Sequence, residues 1–242
     1  MAAFIDIHHH ILYGLDDGPK NSKKARQMID AAHRDGIRTI IATPHVSPGR
    51  RKFDRVSYDQ RLNELNAYCA ACNYDLKILP GAEIYYTDAA IRLLVSGEVP
   101  TLNNTRYVLL EASTRLRSED FVRAIRDVSN AGFIPVIAHI ERYPNLWFKS
   151  KLLKELRSGF NFRIQVDAEV FIDRLPFFEK RFVKALIQYD LIDYVASDAH
   201  DTAERKVNMS RAYKVLCAEY GKKYARMLTG VNQQELLIQE EE

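Results

Sequence analysis

Residues 4–10 read FIDIHHH, a short apolar run that ends in three histidines. The phenylalanine and isoleucines of this run indicate a buried β-strand. Side chains along a strand alternate between its two faces, so His8 and His10 share one face and His9 lies on the other. The stretch therefore predicts a strand whose end presents two imidazoles to one point, as a pair of metal ligands does.

The same unit, a short apolar run followed by a helical pattern, recurs along the whole chain. In residues 22–34, for example, apolar side chains repeat on one helical face, and Gly36 follows as a stop signal. Repeated βα units predict an α/β protein with a parallel sheet. Seven units favour a closed or nearly closed barrel, a distorted TIM-like (β/α)7 barrel, and an open doubly wound sheet is the alternative.

The pattern assigns the strands and helices to one domain. No Pro-, Gly- or Ser-rich linker divides residues 1–242, and this length is normal for a single α/β barrel. The predicted strands are residues 4–7, 39–42, 77–79, 107–110, 134–138, 162–166 and 194–196. The predicted helices are residues 22–34, 56–72, 87–95, 118–131, 149–157, 176–189, 202–220 and 224–238.

The composition is that of an ordinary globular protein, with 47% hydrophobic and 28% charged residues. The net charge of +3 comes from scattered basic residues rather than a basic stripe, which argues against nucleic-acid binding. The first residues lack the pattern of a signal peptide, and no apolar run approaches the roughly 20 residues of a membrane helix. We therefore expect a soluble protein without membrane insertion.

The three cysteines, Cys69, Cys72 and Cys217, do not suggest a disulfide framework. Cys69 and Cys72 have CxxC spacing, but they lie in a predicted helix and no second pair completes a zinc site. We interpret all three as reduced thiols, which favours a cytoplasmic setting. The chain also lacks a CxxxxxR phosphate loop, which disfavours a phosphatase with a cysteine nucleophile.

Potential metal ligands follow six of the seven predicted strands. The carboxyl ends of barrel strands meet in one bowl, so these side chains are expected to converge. Five of the seven histidines belong to the set, whereas His9 faces away and His33 is expected to be solvated on a helix. Imidazoles and carboxylates without thiolate suit zinc, iron, manganese or nickel. The set consists of His8, His10, His45, Glu83, Glu111, His139, Asp198 and His200.

A ligand set of this size exceeds the needs of one ion. Two or three ions with shared carboxylates would use it, and such clusters clamp phosphate oxygens and convert a bridging water to hydroxide. Glu83 and Asp198 are candidates for bridging ions or orienting water. Arg142 and Arg205 follow His139 and His200 within a few residues, and guanidinium groups bind phosphate bidentately. The alternative for these arginines is a surface position or an ion pair with Glu141 or Glu204.

The ordered motifs resemble the polymerase-and-histidinol-phosphatase (PHP) family. DIHHH resembles its opening HxH motif, and SDAH resembles its closing DxH motif. Within that family, DIHHHILYGLDDGPKNS, GAEIYYT, IPVIAHIERY and VASDAH look like the bacterial tyrosine phosphatases of capsule and exopolysaccharide clusters, the CpsB/CapC/YwqE group. The similarity extends from residue 5 to about residue 205. His9 departs from the group, which commonly has a small residue or cysteine at that position.

The resemblance implies a barrel of the amidohydrolase type with a trinuclear metal site, often loaded with manganese or iron. It adds Asp17 of LDDG to the ligands, in preference to Asp16, and it places Arg142 and Arg205 where phosphate binds. The implied reaction is hydrolysis of phosphotyrosine by a metal-bridging hydroxide. The implied substrate is a bacterial tyrosine kinase that controls capsule or exopolysaccharide synthesis.

Three alternatives to this function stay open on the sequence. One is a phosphatase that acts on a small metabolite such as histidinol phosphate. Another is an exonuclease of the same family, which the absence of a basic groove disfavours. A third, of a different class, is a kinase-binding module without catalysis, although no expected ligand is missing.

A basic loop follows His45. Its residues Arg50, Arg51 and Lys52 form either a solvated turn or a surface that guides an acidic phosphopeptide to the site.

Overall fold

The computed structural model describes residues 3–50, 52–173 and 175–239 of the chain. The strands are β1 (Phe4–His9), β2 (Ile37–Ala42), β3 (His45–Val46), β4 (Lys77–Leu79), β5 (Glu83–Tyr85), β6 (Tyr107–Glu111), β7 (Ile134–Ile137), β8 (Arg163–Asp167) and β9 (Tyr194–Ala196). The helices are α1 (Ser22–Asp35), α2 (Arg55–Ala71), α3 (Asp88–Val95), α4 (Ser118–Asn130), α5 (Ser150–Gly159), α6 (Phe177–Gln188), α7 (Met209–Tyr220) and α8 (Lys222–Arg226). Over these residues, no helix combines the length and apolar character needed to cross a bilayer.

The strands form a curled parallel sheet whose two edges meet. Their orders are β1-β2-β4 and β3-β5-β6-β7-β8-β9. β3 follows β2 after two residues and β5 follows β4 after three, so each pair forms one interrupted barrel strand. The edges join where the His10 amide donates to the Ala199 carbonyl at 2.9 Å and the Asp198 amide donates to the His8 carbonyl at 2.9 Å. The distorted (β/α)7 barrel is therefore confirmed.

Apolar side chains fill two layers of the barrel. Ile7, Leu109 and Val136 belong to a buried cluster inside the curled sheet, and a larger cluster packs between the strands and the surrounding helices. Each such side chain stabilises the fold by about 1.5–3 kcal/mol. The β1–β2 pairing shifts register between Asp6 and His9. A shift of this kind re-aims side chains, and it lies beside the histidines at the end of β1.

Two predicted helices differ from those in the structure. The helix predicted for residues 202–220 begins only at Met209, because Asp201 Oδ1 accepts the amides of Ala203 and Arg205 at 2.6 and 3.2 Å and holds that segment as a turn. The helix predicted for residues 224–238 starts within α8, which ends at Arg226, and continues as a π-turn at Met227–Val231 and a 3-10 helix at Asn232–Leu237. The short strands β3 and β5 were not predicted, because two or three residues are too few to show a period.

A carboxylate at the amino-terminal end of the barrel ties several strands to the last helical turn. Glu235 accepts hydrogen bonds from Tyr107 at 2.6 Å, from Tyr194, and from the Arg163 guanidinium at 3.0 Å to each oxygen. Burial alone would raise the pKa of Glu235, but hydrogen bonds from Arg163 and the tyrosines hold it below its ordinary value. The ionised carboxylate is therefore the form that the folded chain stabilises.

Substituting Glu235 should reveal this contribution to stability. We expect Glu235→Gln to lower the free energy of unfolding near neutral pH by about 1–3 kcal/mol, because a charged acceptor of several hydrogen bonds becomes a neutral amide. The folded-state pKa lies below the unfolded-state pKa, so the wild-type advantage is complete at neutral pH and is lost as pH falls through the folded-state pKa. Urea unfolding at about pH 7 and about pH 4 should show a difference that shrinks in acid. An equal difference at both values would contradict an ionised Glu235.

Candidate metal centre

The carboxyl ends of the strands and the loops that follow them bring all nine expected ligands into one cluster. The residues fall into four groups in which donor atoms lie within 4.8 Å of one another. The groups are His10, Asp17, His45 and His200; His8, His10 and Asp198; His8, Glu83 and His139; and His45, Glu83 and Glu111. Since several residues belong to two groups, the donors are arranged as adjacent sites with shared ligands, as in multinuclear centres.

Glu83, at the start of β5, is the buried centre of this cluster. Its Oε2 lies 2.8 Å from His45 Nδ1 and 3.2 Å from His8 Nε2. The same oxygen lies 3.3 Å from His10 Nε2, and Oε1 lies 2.8 Å from His139 Nε2. The contacts of Oε2 are short but not aligned as hydrogen bonds. A buried carboxylate oxygen that several imidazole nitrogens face without bonding fits the coordination of divalent ions.

His8 and His10 show the same feature at the end of β1. Their Nε2 atoms lie 3.2 Å apart, and each lies 3.2 or 3.3 Å from Asp198 Oδ1. Two imidazole nitrogens at this distance need a proton or a cation between or beside them, because their lone pairs repel. The chemistry of the donors and their spacing therefore fit a metal centre.

The electrostatics of the cluster follow from burying acids and imidazoles together. Burial alone would lower the pKa of His8, but the carboxylates of Glu83 and Asp198 raise it to about 9. Burial likewise opposes ionisation of Glu83, yet His8 and the neighbouring imidazoles hold the pKa of that carboxyl well below its ordinary value. Glu111 differs: burial and the nearby Glu83 charge raise its pKa. The Glu83 carboxyl at the centre is thus ionised and ready to bind cations.

Two of the expected ligands have a strained backbone. His139 has φ of 32° and Asp198 has φ of 51°, both in the left-handed region that L residues seldom adopt. Each lies two residues after the end of a barrel strand. Strain of this kind persists where surrounding contacts fix it, commonly at functional sites.

Asp16 and Gln165 orient the histidines from outside the cluster. Asp16 Oδ2 lies 2.7 Å from His10 Nδ1 and accepts the His45 amide at 3.0 Å. Gln165 Oε1 lies 3.2 Å from His8 Nδ1 and accepts the His139 amide at 2.8 Å. Partners at the second ring nitrogen fix the orientation of an imidazole and direct its other nitrogen toward the metal.

Neither of these residues was predicted from the sequence, and neither was Asp167. The LDDG motif pointed to Asp17 alone, and the predicted strand 162–166 carried no expected site residue. The signal was present, because Gln165 and Asp167 alternate along β8 and therefore share a face.

The two arginines lie at the edge of the cluster. Arg142 Nη2 donates to Asp167 Oδ2 at 2.5 Å and to Asp198 Oδ2 at 2.7 Å. Arg205 Nη2 donates to the same Asp198 oxygen at 2.8 Å, and its Nη1 lies 3.3 Å from Asp17 Oδ2. Neither arginine pairs with Glu141 or Glu204 in the described ion pairs. Both side chains are more than a third exposed, so they can meet a ligand that enters the site.

The other singled-out residues lie outside the cluster. His9 is fully buried, and burial together with the neighbouring imidazoles lowers its pKa to about 3. His33 is half-buried and stacks on Tyr74 with ring centroids 4.1 Å apart, so the expectation of a solvated histidine was wrong. Arg51 lies outside the described residues.

The cysteines are free thiols, as the sequence predicts. Cys69 is buried on α2, and burial raises its pKa to about 11, which disfavours the thiolate form that a nucleophile requires. The described side chains of the cluster contain no sulfur, so its chemistry is that of imidazole and carboxylate.

Comparisons with known proteins agree with this chemistry. Residues 4–238 match the family model described as "Capsular polysaccharide synthesis, CpsB/CapC". The tyrosine-protein phosphatase YwqE of Bacillus subtilis is 36% identical over 93% of this chain and 88% of its own length. The tyrosine-protein phosphatase CpsB of Streptococcus pneumoniae is 32% identical over 97% of this chain and 98% of its own length. A solved structure from a study of YwqE and CpsB as metal-dependent tyrosine phosphatases superposes with a TM-score of 0.86, at 33% identity, over 98% of this chain and 95% of that one.

Proposed function

Because the chain belongs to the CpsB/CapC family of capsular polysaccharide synthesis, we propose that it is a metal-dependent protein-tyrosine phosphatase. The reaction is hydrolysis of the phosphomonoester of phosphotyrosine. The observation that carries the proposal is the Glu83 carboxylate, which is buried among four imidazoles from three separate strand ends. Few uses of a protein interior require so many ionisable groups at one point.

We propose that His8, His10, Asp17, His45, Glu83, Glu111, His139, Asp198 and His200 hold two to three divalent ions. Such ions supply Lewis acidity toward phosphate oxygens and lower the pKa of a water that attacks phosphorus. The motif resemblance supports manganese, with iron or zinc as alternatives that suit the same donors. Asp16 and Gln165 fix the directions of His10 and His8, so the donor atoms are aligned before metal binds.

The arginines take the role of binding phosphate. Arg142 and Arg205 converge on Asp198 Oδ2, which places two guanidinium groups on one side of the cluster. A phosphate that approaches the ions would meet both, and their charge would offset the charge of the transferred group. Asp167 keeps Arg142 in place from the barrel wall.

Membership of the same family supports a proposal for the setting of the enzyme. We propose that residues 1–242 act as a single phosphatase domain in the cytoplasm and that the substrate is a bacterial tyrosine kinase that controls capsule or exopolysaccharide synthesis. Three free thiols are compatible with a reducing compartment.

A comparison of substrates tests the proposal. With manganese present, the protein should hydrolyse a phosphotyrosine peptide at least about tenfold more efficiently than histidinol phosphate, because the two share only the phosphate. Activity should disappear with a chelator and return with added metal. Preference for histidinol phosphate would favour a metabolite phosphatase. Binding to a phosphorylated kinase without hydrolysis would favour a non-catalytic module.

A further inference from the structure

A basic cavity opens between the loop that follows β3 and helix α3. Its volume is about 900 Å³. The charged side chains on its wall are Arg50, Lys52, Arg55, Arg92 and Glu98. Arg55 pairs with Asp59 at 2.9 Å, which offsets its charge. Among the described ion pairs, Arg50, Lys52 and Arg92 have no carboxylate partner, so the cavity presents an excess of positive charge.

The cavity lies next to the metal centre. A smaller pocket of about 90 Å³ is lined by His45 and also by Lys52 and Phe53, which line the basic cavity as well. Arg50 Cζ lies 5.5 Å from the centre of the Tyr85 ring. Tyr85 follows Glu83 by two residues on β5, so both side chains project from the same face of the strand. The guanidinium of Arg50 therefore lies near the rim of the catalytic bowl.

We propose that this cavity is a second anion subsite, which binds an acidic side chain near the phosphotyrosine in the same substrate chain. The inference rests on the proposed phosphatase function and adds a determinant of substrate choice. The ligand chemistry is an anionic side chain, either the carboxylate of Asp or Glu or the phosphate of a second phosphotyrosine. Phe53 and Leu93 provide apolar surface for the stem of such a side chain.

Chain geometry limits where that acidic residue can lie. Arg50 follows His45 by five positions, and an extended chain of that length spans at most about 18 Å. An extended substrate crosses the same span in about five residues. The subsite should therefore bind acidic residues that lie up to about five positions from the phosphotyrosine. If the subsite recognises the acidic side chain by charge alone, its binding should weaken as salt is added. Exposed ion pairs are screened over about 8 Å at physiological ionic strength.

Matched phosphopeptides test the subsite. One peptide carries glutamates within five positions of the phosphotyrosine, a second carries glutamines there, and a third carries one additional phosphotyrosine; an aryl phosphate reports the chemical step alone. The wild-type enzyme should prefer the glutamate or doubly phosphorylated peptide over the glutamine peptide by about five- to thirtyfold in kcat/KM, mainly through KM. The double variant Arg50→Gln/Arg92→Gln should reduce this preference to about twofold or less while turnover of the aryl phosphate stays within about twofold.

Arg126→Gln/Arg211→Gln is the matched control, since it removes two exposed arginines from α4 and α7 and should keep the full preference. A preference limited to the doubly phosphorylated peptide would identify phosphate as the anion. Raising salt should weaken the wild-type preference, which tests the idea without any variant. Equal turnover of all peptides by the wild type, or an unchanged preference in the Arg50/Arg92 variant, would overturn the subsite and leave the phosphatase function intact. Failure to hydrolyse even the aryl phosphate would overturn the proposed function itself.

Discussion

Glu83→Gln should reduce kcat/KM for a phosphotyrosine peptide by at least about a thousandfold, equivalent to roughly 4 kcal/mol. The substitution keeps the shape of the side chain and removes its charge. The affected oxygens are Oε2, which lies 2.8 Å from His45 Nδ1, and Oε1, which lies 2.8 Å from His139 Nε2. Because Glu83 belongs to two of the four donor groups, the loss of charge should weaken more than one ion at once. Metal content should therefore fall together with turnover.

Elemental analysis and kinetics on the same preparation give the measurement. Glu235→Gln is a matched control, since it makes the same change in a carboxylate that also accepts several hydrogen bonds but lies at the other end of the barrel. That variant should lose stability and keep its metal and its turnover. A Glu83→Gln protein with full metal content and near-normal activity would remove Glu83 from the centre. Full metal content with no activity would instead assign Glu83 to orienting water.

The barrel and the position of its site were predictable from the sequence because both depend on short-range patterns. The apolar runs are nearly continuous in strands that are buried on both faces, and each run ends where polar residues begin. His8 and His139 could be predicted as site residues for this reason, because each directly follows such a run. Asp17 was not visible in this way, because it lies in a loop where LDDG reads as a turn. Its assignment came from similarity of motifs.

The residues that orient the expected ligands were harder to predict. Asp16 and Gln165 act through hydrogen bonds to His10 and His8, and those partners meet only after the barrel closes. Asp167 likewise has no local partner in the sequence that would suggest its contact with Arg142. The contacts of Gln165 and Asp167 join residues that are far apart in the chain, and that of Asp16 crosses a loop, so neither period nor spacing reveals them. The predicted start of the helix at residue 202 was wrong for a related reason. A pattern of apolar residues does not reveal a side-chain hydrogen bond such as that of Asp201, which holds the segment as a turn.

The hydrogen bonds of Arg142 suggest how it could grip phosphate. One terminal nitrogen, Nη2, serves both Asp167 and Asp198, at 2.5 and 2.7 Å. Burial alone would lower the pKa of Arg142, but Asp167 and Asp198 raise it, so the group stays charged. The described hydrogen bonds of Arg142 use only this nitrogen on the side chain. Its other N–H groups are therefore available to a bound phosphate, while the two aspartates keep the guanidinium in place.

Arg142→Lys should consequently lower kcat/KM by about tenfold to a thousandfold, or roughly 1–4 kcal/mol. A lysine can keep its ammonium between Asp167 and Asp198, but it has no second nitrogen to bind phosphate bidentately. The interaction strengthens as charge redistributes in the transition state, so kcat should fall and not only the affinity for substrate. The loss should be similar for a phosphotyrosine peptide and an aryl phosphate, because the phosphate is common to both. Metal content should stay unchanged, since arginine is not a ligand.

Arg157→Lys is the control for the general effect of replacing a paired arginine by lysine away from the site. Arg157 makes a bidentate pair with Asp193, at 3.0 and 2.7 Å, and neither residue belongs to the donor groups of the metal centre. That substitution should lower stability and leave kcat/KM of the folded enzyme unchanged. Near-normal turnover by Arg142→Lys would transfer the phosphate contact to Arg205, which also binds Asp198 Oδ2. A drop in metal content would show instead that Arg142 acts by positioning Asp198, and restoring activity with excess metal would separate that role from direct binding of phosphate.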